Sequence, residues 1–370
     1  MDKLTAIITF ALIALLLPVQ GLAADWGHLK IQVSPEELNL QEAYLFAAPG
    51  GWQLTAGLQQ LQWGPGKAGD LFLSKDFSIW AITAQKTWRL WGYKIKTQQL
   101  VASVDPDLNK MLFAHRLESE VWPGLVIGLA ESAIATGEFT PWLYNPIPIW
   151  PFYLSQHLVK KDDPIQDRLI NINLSLDATF TRSSGTQIYG QLFIDDAQQD
   201  LARRDTVPDW GGFLVGVSDP NLAYWPGWSG MVEYILITNW TYTHKNVDNS
   251  YILPDGTSLG HWLGPDADAI VVRFEHQISD ETSVRLRLQH ERHGEGVLGE
   301  GWRPEYQKEN LFLSGVVEKR YTVGAGVKSL IVNGLCLESE LSWTGTVNAD
   351  NSLEKKSNEI RLKVQATWQI

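Results

Sequence analysis

From Ile360 to Ile370 every even-numbered residue is apolar: Ile360, Leu362, Val364, Ala366, Trp368 and Ile370. The residues between them are Arg361, Lys363, Gln365, Thr367 and Gln369. Successive side chains of a β-strand point to opposite faces, so this segment has one continuous apolar face and one strongly polar face. A soluble sandwich also alternates, but its strands run to about 5–6 residues. Alternation sustained over about 10–12 residues matches a tilted strand crossing a bilayer. The expectation is an all-β chain folded as a transmembrane antiparallel β-barrel of the outer-membrane type.

The pattern recurs. Ile170, Ile172, Leu174, Leu176, Ala178 and Phe180 alternate with polar residues, and after the turn Arg182-Ser183-Ser184-Gly185 the residues Ile188, Leu192 and Ile194 share a face. Val272 and Phe274 alternate with Arg273 and Glu275, and Val284, Leu286 and Leu288 with Arg285, Arg287 and Gln289. Asn333-Gly334 is a hairpin turn signal. Nine strands fit between 169 and 370, and seven more fall near 28–33, 41–48, 52–62, 77–90, 91–104, 109–118 and 122–131. The total of about 16, within a range of 14 to 18, is even, as single-chain bacterial barrels require. Short turns near 182–185, 279–282 and 332–334 belong on the periplasmic side. The long stretches near 136–168, 196–208, 241–268, 294–310 and 346–357 belong outside the cell.

The N-terminus fits export. Lys3, the apolar run Ile7 to Leu17, Pro18 and the small residues Gly21 and Ala23 read as a signal peptide over residues 1–23, leaving residues 24–370 as a single barrel domain. No later run is long and apolar enough for a spanning helix; Val121 to Ala135 comes nearest and is broken by Pro123 and Glu131. A single cysteine, Cys336, rules out an internal disulfide. The formal charge of −12 argues against nucleic acid as a partner. The 17 tryptophans suit the aromatic girdles of a membrane barrel, although a soluble all-β core would use them too.

Four constellations invite a functional reading. Trp63-Gly64-Pro65-Gly66, followed by Gly69-Asp70-Leu71-Phe72-Leu73-Ser74, makes either a rigid loop folded into the lumen or an ordinary strand connection. Gly260-His261-Trp262-Leu263-Gly264-Pro265-Asp266-Ala267-Asp268 holds three possible cation ligands, His261, Asp266 and Asp268, but reads better as a turn that seats the next strand, and no metal or other cofactor is expected. The stretch from Phe139 to His157 carries Trp142, Tyr144, Trp150, Phe152 and Tyr153 on a proline-stiffened backbone. It is either a platform for stacking sugar rings or a loop with its aromatics folded inside. Arg203, Arg204, His290, Arg292 and His293 are either solvated loop charge or contacts to an anionic glycan at the barrel mouth. Asp195 and Asp196 are adjacent on a strand and face opposite ways, so they make no carboxylate pair. No hydrolase, zincin or phosphate-loop motif is present.

Three of these segments, W-G-P-G with its Gly-Asp-Leu-Phe-Leu-Ser sequel, Tyr189-Gly190-Gln191-Leu192-Phe193-Ile194-Asp195-Asp196, and Gly260 to Asp268, come in the order found in the Wzi-like capsule assembly family of outer-membrane proteins. The chain resembles that family over roughly residues 40 to 370. The resemblance implies a monomeric barrel, inserted by the barrel assembly machinery into outer-membrane lipid and plugged or narrowed by its own segments. It implies a lectin-like, non-catalytic role in holding capsular or other surface polysaccharide. One departure stands out: little precedes Trp63, and only Ser34 to Ala43 offers room for a helix-like stretch, so a reduced plug is expected. The alternative function is a porin or solute channel, which needs a continuous aqueous path.

Overall fold

The computed structural model describes residues 28–33, 38–137, 152, 170–196, 210–223, 225–244, 246–301, 312–332 and 334–369; for 28–39, 196 and 369 the backbone alone is described. Among them are sixteen strands: β1 (His28–Val33), β2 (Leu38–Ala47), β3 (Trp52–Gln59), β4 (Ile79–Leu90), β5 (Tyr93–Asp105), β6 (Lys110–Trp122), β7 (Leu125–Ala135), β8 (Ile170–Thr181), β9 (Gln187–Asp196), β10 (Trp210–Asp219), β11 (Trp228–Ile237), β12 (Ala267–Gln277), β13 (Thr282–His293), β14 (Glu318–Val332), β15 (Leu335–Val347) and β16 (Lys356–Gln369). Each pairs antiparallel with its sequence neighbours. The barrel closes where β1 meets β16, with Lys30 opposite Gln369 and Val33 opposite Ala366. The nine strands expected after residue 169 and the seven before it are all present. The helix-like reading of Ser34 to Ala43 is overturned over Leu38–Ala43, which is strand: its pairing with β1 and β3 satisfies backbone groups that a short isolated helix would leave to solvent.

The alternation resolves into lipid and lumen faces. Ile360 and Leu362 on β16 stay 74 % and 67 % exposed although apolar, the signature of side chains that meet hydrocarbon rather than a core. Their registered neighbours Leu341 and Trp343 on β15 are exposed likewise. The outward-facing Lys86 lies between two rings, its Nζ 5.2 Å from the centroid of Trp52 and 4.6 Å from that of Trp88. Near the short-turn end of β3 and β4, that cation–π contact offsets the charge of a lysine on the outer wall.

The short connections 91–92, 123–124, 182–186 and 278–281 all lie at one end, with the C-terminus, and the long ones at the other. Short turns mark the periplasmic end of such barrels. Two long extracellular connections, residues 60–78 between β3 and β4 and residues 238–266 between β11 and β12, carry the core of the molecule inside the lumen.

Candidate functional site

The plug begins with backbone geometry. Trp63 and Leu73 pair as an isolated antiparallel bridge, folding the segment between them into a compact lobe. Gly64 holds φ at 155°, and a Cβ there would come 2.2 Å from Asp70 Oδ1. At Gly66 the constraint is proximity alone, since a Cβ would meet the Gly69 carbonyl oxygen at 1.8 Å. Once folded, the lobe buries Leu71, Phe72 and Leu73 completely. Trp63 stacks on Phe72 with centroids 6.0 Å apart, and Phe193 and Tyr251 pack round the same ring. Lumen-facing Leu100, Leu112, Ile134, Leu214, Ile235 and Val271 complete one cluster with them.

Irregular backbone at membrane depth must find partners within the protein. Here the wall supplies them. Gln191 accepts a hydrogen bond from Leu71 N–H at 2.9 Å and donates to the Trp63 carbonyl at 3.3 Å. Glu233, fully buried on β11, accepts from Lys67 N–H (2.7 Å), Ala68 N–H (3.0 Å) and the Tyr189 hydroxyl (2.8 Å). Tyr189 reaches across β10 because Gly216 leaves the space; a Cβ there would lie 2.5 Å from the phenol. Arg273 Nη1 donates to the Lys67 carbonyl at 3.0 Å. The odd-numbered residues of the Tyr189–Asp196 motif thus act as a set: Tyr189 supports Glu233, Gln191 holds Leu71, Phe193 packs on Phe72, and Asp195 accepts from Tyr242 N–H at 2.6 Å.

The connection 238–266 locks the lobe from above. Tyr242 and Tyr251 donate their hydroxyls to the carbonyls of Leu71 and Phe72, both at 2.8 Å, and Trp262 Nε1 donates to the Ala68 carbonyl at 2.8 Å. Burial, with the Arg273 charge adding to it, holds the His261 imidazole down at about 3, so the ring is neutral. Its Nδ1 accepts from Leu263 N–H at 3.2 Å. Burial has the opposite effect on the Asp70 carboxyl, lifting it to about 7 against the hydrogen bond it accepts from Gly66 N–H.

Asp266 and Asp268 have separate duties. Asp266, at φ 55°, accepts from Gly296 N–H (2.9 Å) and from the Ser314 hydroxyl (2.5 Å), tying the start of β12 to the neighbouring connection. Asp268 faces the outer wall, bound by both Nε and Nη2 of Arg292 (2.9 and 2.5 Å) and by the Tyr234 hydroxyl (3.0 Å). His261, Asp266 and Asp268 therefore point to different partners, and Gly260 to Asp268, including Gly264 and Pro265, is the turn that seats β12. Among the described residues no cluster of three His, Cys, Asp or Glu gathers to hold a metal ion.

Arg292 and His293 do not converge. Being adjacent on β13, they face opposite sides of the wall: Arg292 joins Asp268 outside, and His293 pairs with Glu291 at 3.0 Å on the lumen side. His290 stacks on Tyr321 on the outer face. Trp142, Tyr144, Trp150, Tyr153, Arg203 and Arg204 lie outside the described residues, as does the side chain of Asp196. Of the aromatic stretch, Phe152 is described. It is buried against the outside of the barrel, its ring 4.5 Å from that of His115 and its N–H donating to Glu131 at 2.7 Å. Phe113, Ala133, Ala135 and Ile170 surround it. Sequence reading missed Glu233 and Arg273 as anchors of the plug. The only signal for either was a lone charged residue within an otherwise apolar run, Met231-Val232-Glu233-Tyr234 and Val271-Val272-Arg273-Phe274.

The three sequence motifs thus meet in space and build one object: a plug with its own apolar core, hydrogen-bonded to the wall that surrounds it. This defines a plugged outer-membrane β-barrel. The chain belongs to the family of the capsule assembly protein Wzi, whose profile matches residues 23–357. Among solved structures it is similar to Wzi of Escherichia coli, described as an outer-membrane protein involved in group 1 capsule assembly and a carbohydrate-binding β-barrel. That match has a TM-score of 0.62 at 16 % identity, covering 99 % of this chain and 87 % of that one. OccD3 (OpdP) of Pseudomonas aeruginosa matches with a TM-score of 0.50 at 11 % identity, over 95 % of this chain and 92 % of that one. No curated protein sequence matches the chain.

Proposed function

We propose that this protein, exported by a signal peptide over residues 1–23 and inserted as a monomer by the barrel assembly machinery, holds surface polysaccharide outside the cell and supports capsule assembly without catalysing a reaction. The observation that carries the reading is the plug. Its apolar core occupies the lumen beside β5 to β12, and wall groups such as Gln191 and Glu233 are committed to holding its backbone. A barrel so filled is suited to presenting a fixed extracellular surface rather than to wide passage. Family membership and the carbohydrate binding ascribed to the E. coli relative support the same reading.

The aromatic stretch is the proposed platform, with Trp142, Tyr144, Trp150 and Tyr153 as its stacking faces. Phe152, the described member of that stretch, is fixed to the outer wall by Glu131 and His115 on β7 and β6, which supports this. The test replaces Trp142 and Trp150 by alanine, one at a time. Heat-modified gel mobility should match the parent, and cells should shed capsule into the medium. Unchanged capsule retention, together with large ohmic conductance of the parent in planar bilayers, would sink this reading and favour a channel.

A further inference from the structure

Below the plug, at the short-turn end, two cavities share Arg273, Glu275 and Arg285. The one directly under the lobe has a volume of about 640 Å³, within the range of about 300–1,000 Å³ usual for small-ligand sites. Its ionisable lining is Lys67, Arg273, Arg285 and Arg287 against Asp219, Glu275 and Glu340, four cations to three carboxylates, in a chain whose net charge is −12. Local sign therefore runs against the whole molecule.

The pairing sharpens the contrast. Arg285 has Glu275 at 3.3 Å and Glu338 at 3.5 Å, and Arg287 has Glu340 at 2.6 Å. Arg273 has no carboxylate within 4 Å among the described residues; it donates to the neutral Lys67 carbonyl. It also stands directly opposite Arg287 in the β12–β13 register. Like charges facing each other across strands are destabilising. The Nε of Arg287 is buried without a hydrogen-bond partner. Lys67 extends into the same space, its Nζ 5.8 Å from the Tyr189 ring. Lumen-facing Gln187, Ser218 and Ser229 add neutral hydrogen-bonding groups beside the cations.

We propose that this periplasm-facing vestibule is a binding site for an acidic sugar, with Arg273 and Arg287 receiving its carboxylate and Gln187, Ser218 and Ser229 meeting its hydroxyls. Two planar guanidinium forks suit a carboxylate, and a bound anion offsets the repulsion between the facing Arg273 and Arg287. The site lies at the opposite end of the molecule from the extracellular platform, so either can fail without the other.

Calorimetric titration of the full-length barrel in detergent at low salt tests this with glucuronate, glucose and inorganic phosphate as separate probes. Glucuronate should bind, glucose should not, and raising the salt to 0.5 M should weaken the affinity several-fold. Arg273→Gln should reduce affinity at least tenfold. Since Arg273 also touches the plug, Arg287→Gln, which leaves every plug contact in place, should give a comparable loss. Arg361→Gln, which removes a lumen cation paired with Glu359, should change nothing. No glucuronate binding, equal binding of glucose, binding of phosphate alone, or full affinity in folded Arg287→Gln protein would each overturn the assignment.

Discussion

Replacing Glu233 by alanine should release the tip of the plug while leaving the barrel standing. The carboxyl accepts three hydrogen bonds, at 2.7, 3.0 and 2.8 Å, two of them from backbone amides of Lys67 and Ala68. Hydrogen bonds to a charged group contribute about 1.5–3 kcal/mol each. The cost of burying the carboxylate offsets several kcal/mol of that sum. A net loss of about 3 kcal/mol follows, a rise of roughly 100-fold in the undocked population of the lobe. The strand ladders on either side of Glu233 are untouched, so heat-modified gel mobility should not change. Hydrogen exchange at the amides of Lys67 and Ala68 should accelerate by the same factor, and single-channel recordings should show new, flickering openings. Glu233→Gln should fall between the two, because the carboxamide keeps one accepting oxygen while its NH2 faces donors that the other carboxylate oxygen accepted from. Wild-type exchange rates at both amides in a folded Glu233→Ala barrel would refute the reasoning, since the tip would then be held by something other than this carboxyl.

Other consequences can be checked with simple variants. Leu362→Arg, at the middle of β16 on the lipid face, should cost about 2–4 kcal/mol and lower the folded yield in lipid, whereas Lys363→Ala on the lumen face should not. His261 stabilises the docked plug fully above its unfolded value of 6.5 and loses that contribution as pH falls towards about 3, while Asp70 contributes fully below 3.8 and loses it as pH rises through about 7. Between pH 4 and 6.5 the two slopes, each at most about 1.4 kcal/mol per pH unit, oppose each other. Protease resistance of the parent plug should therefore be nearly flat there; Asp70→Asn should make it fall with acid and His261→Asn should make it rise. Glu131→Ala removes the acceptor for Phe152 N–H and should speed proteolysis between 136 and 169 without altering barrel mobility on gels.

Where the two faces of a strand meet different solvents, the sequence announces both. β15 and β16 set lipid against a charged side of the lumen that the apolar plug core does not cover, so Leu341, Leu362 and Val364 alternate cleanly with Glu340, Arg361 and Lys363. The middle strands set lipid against the plug. There the lumen-facing Ile235 and Ile237 are as apolar as the lipid-facing Val232 and Leu236, and period two dissolves into a run such as Tyr234-Ile235-Leu236-Ile237. A strand buried on both faces loses its alternation. That is why strand number and orientation were legible while the extent of the plug was not. The motifs were visible as unusual glycine and proline spacing, but their meeting in space depends on residues more than 100 positions apart, as with Leu71 and Gln191. The cationic vestibule was hidden for a further reason: Arg273, Arg285 and Arg287 read as ordinary polar positions until the register set Arg273 opposite Arg287.

The division of the lumen has a physical logic. A barrel wall already satisfies its backbone and its outer face, so it gains little from an apolar interior unless something fills it. Residues 60–78 and 238–266 supply that filling on the side of β5 to β12, where lumen-facing Leu100, Leu112, Phe193, Leu214 and Val271 would otherwise meet water. On the side of β13 to β16 the lumen keeps paired charges, Arg285 with Glu338, Arg287 with Glu340 and Lys328 with Glu338, which hold in water and need no cover. The boundary between the two halves falls at Arg273, which touches the plug through the Lys67 carbonyl and faces the charged half through Arg287. A single side chain therefore reports on both: a ligand that draws Arg273 towards Arg287 draws it away from the lobe. Vestibule occupancy and plug docking are then linked: the factor by which glucuronate shifts the docking equilibrium, read from exchange at Lys67, should equal the factor by which full undocking of the lobe changes glucuronate affinity.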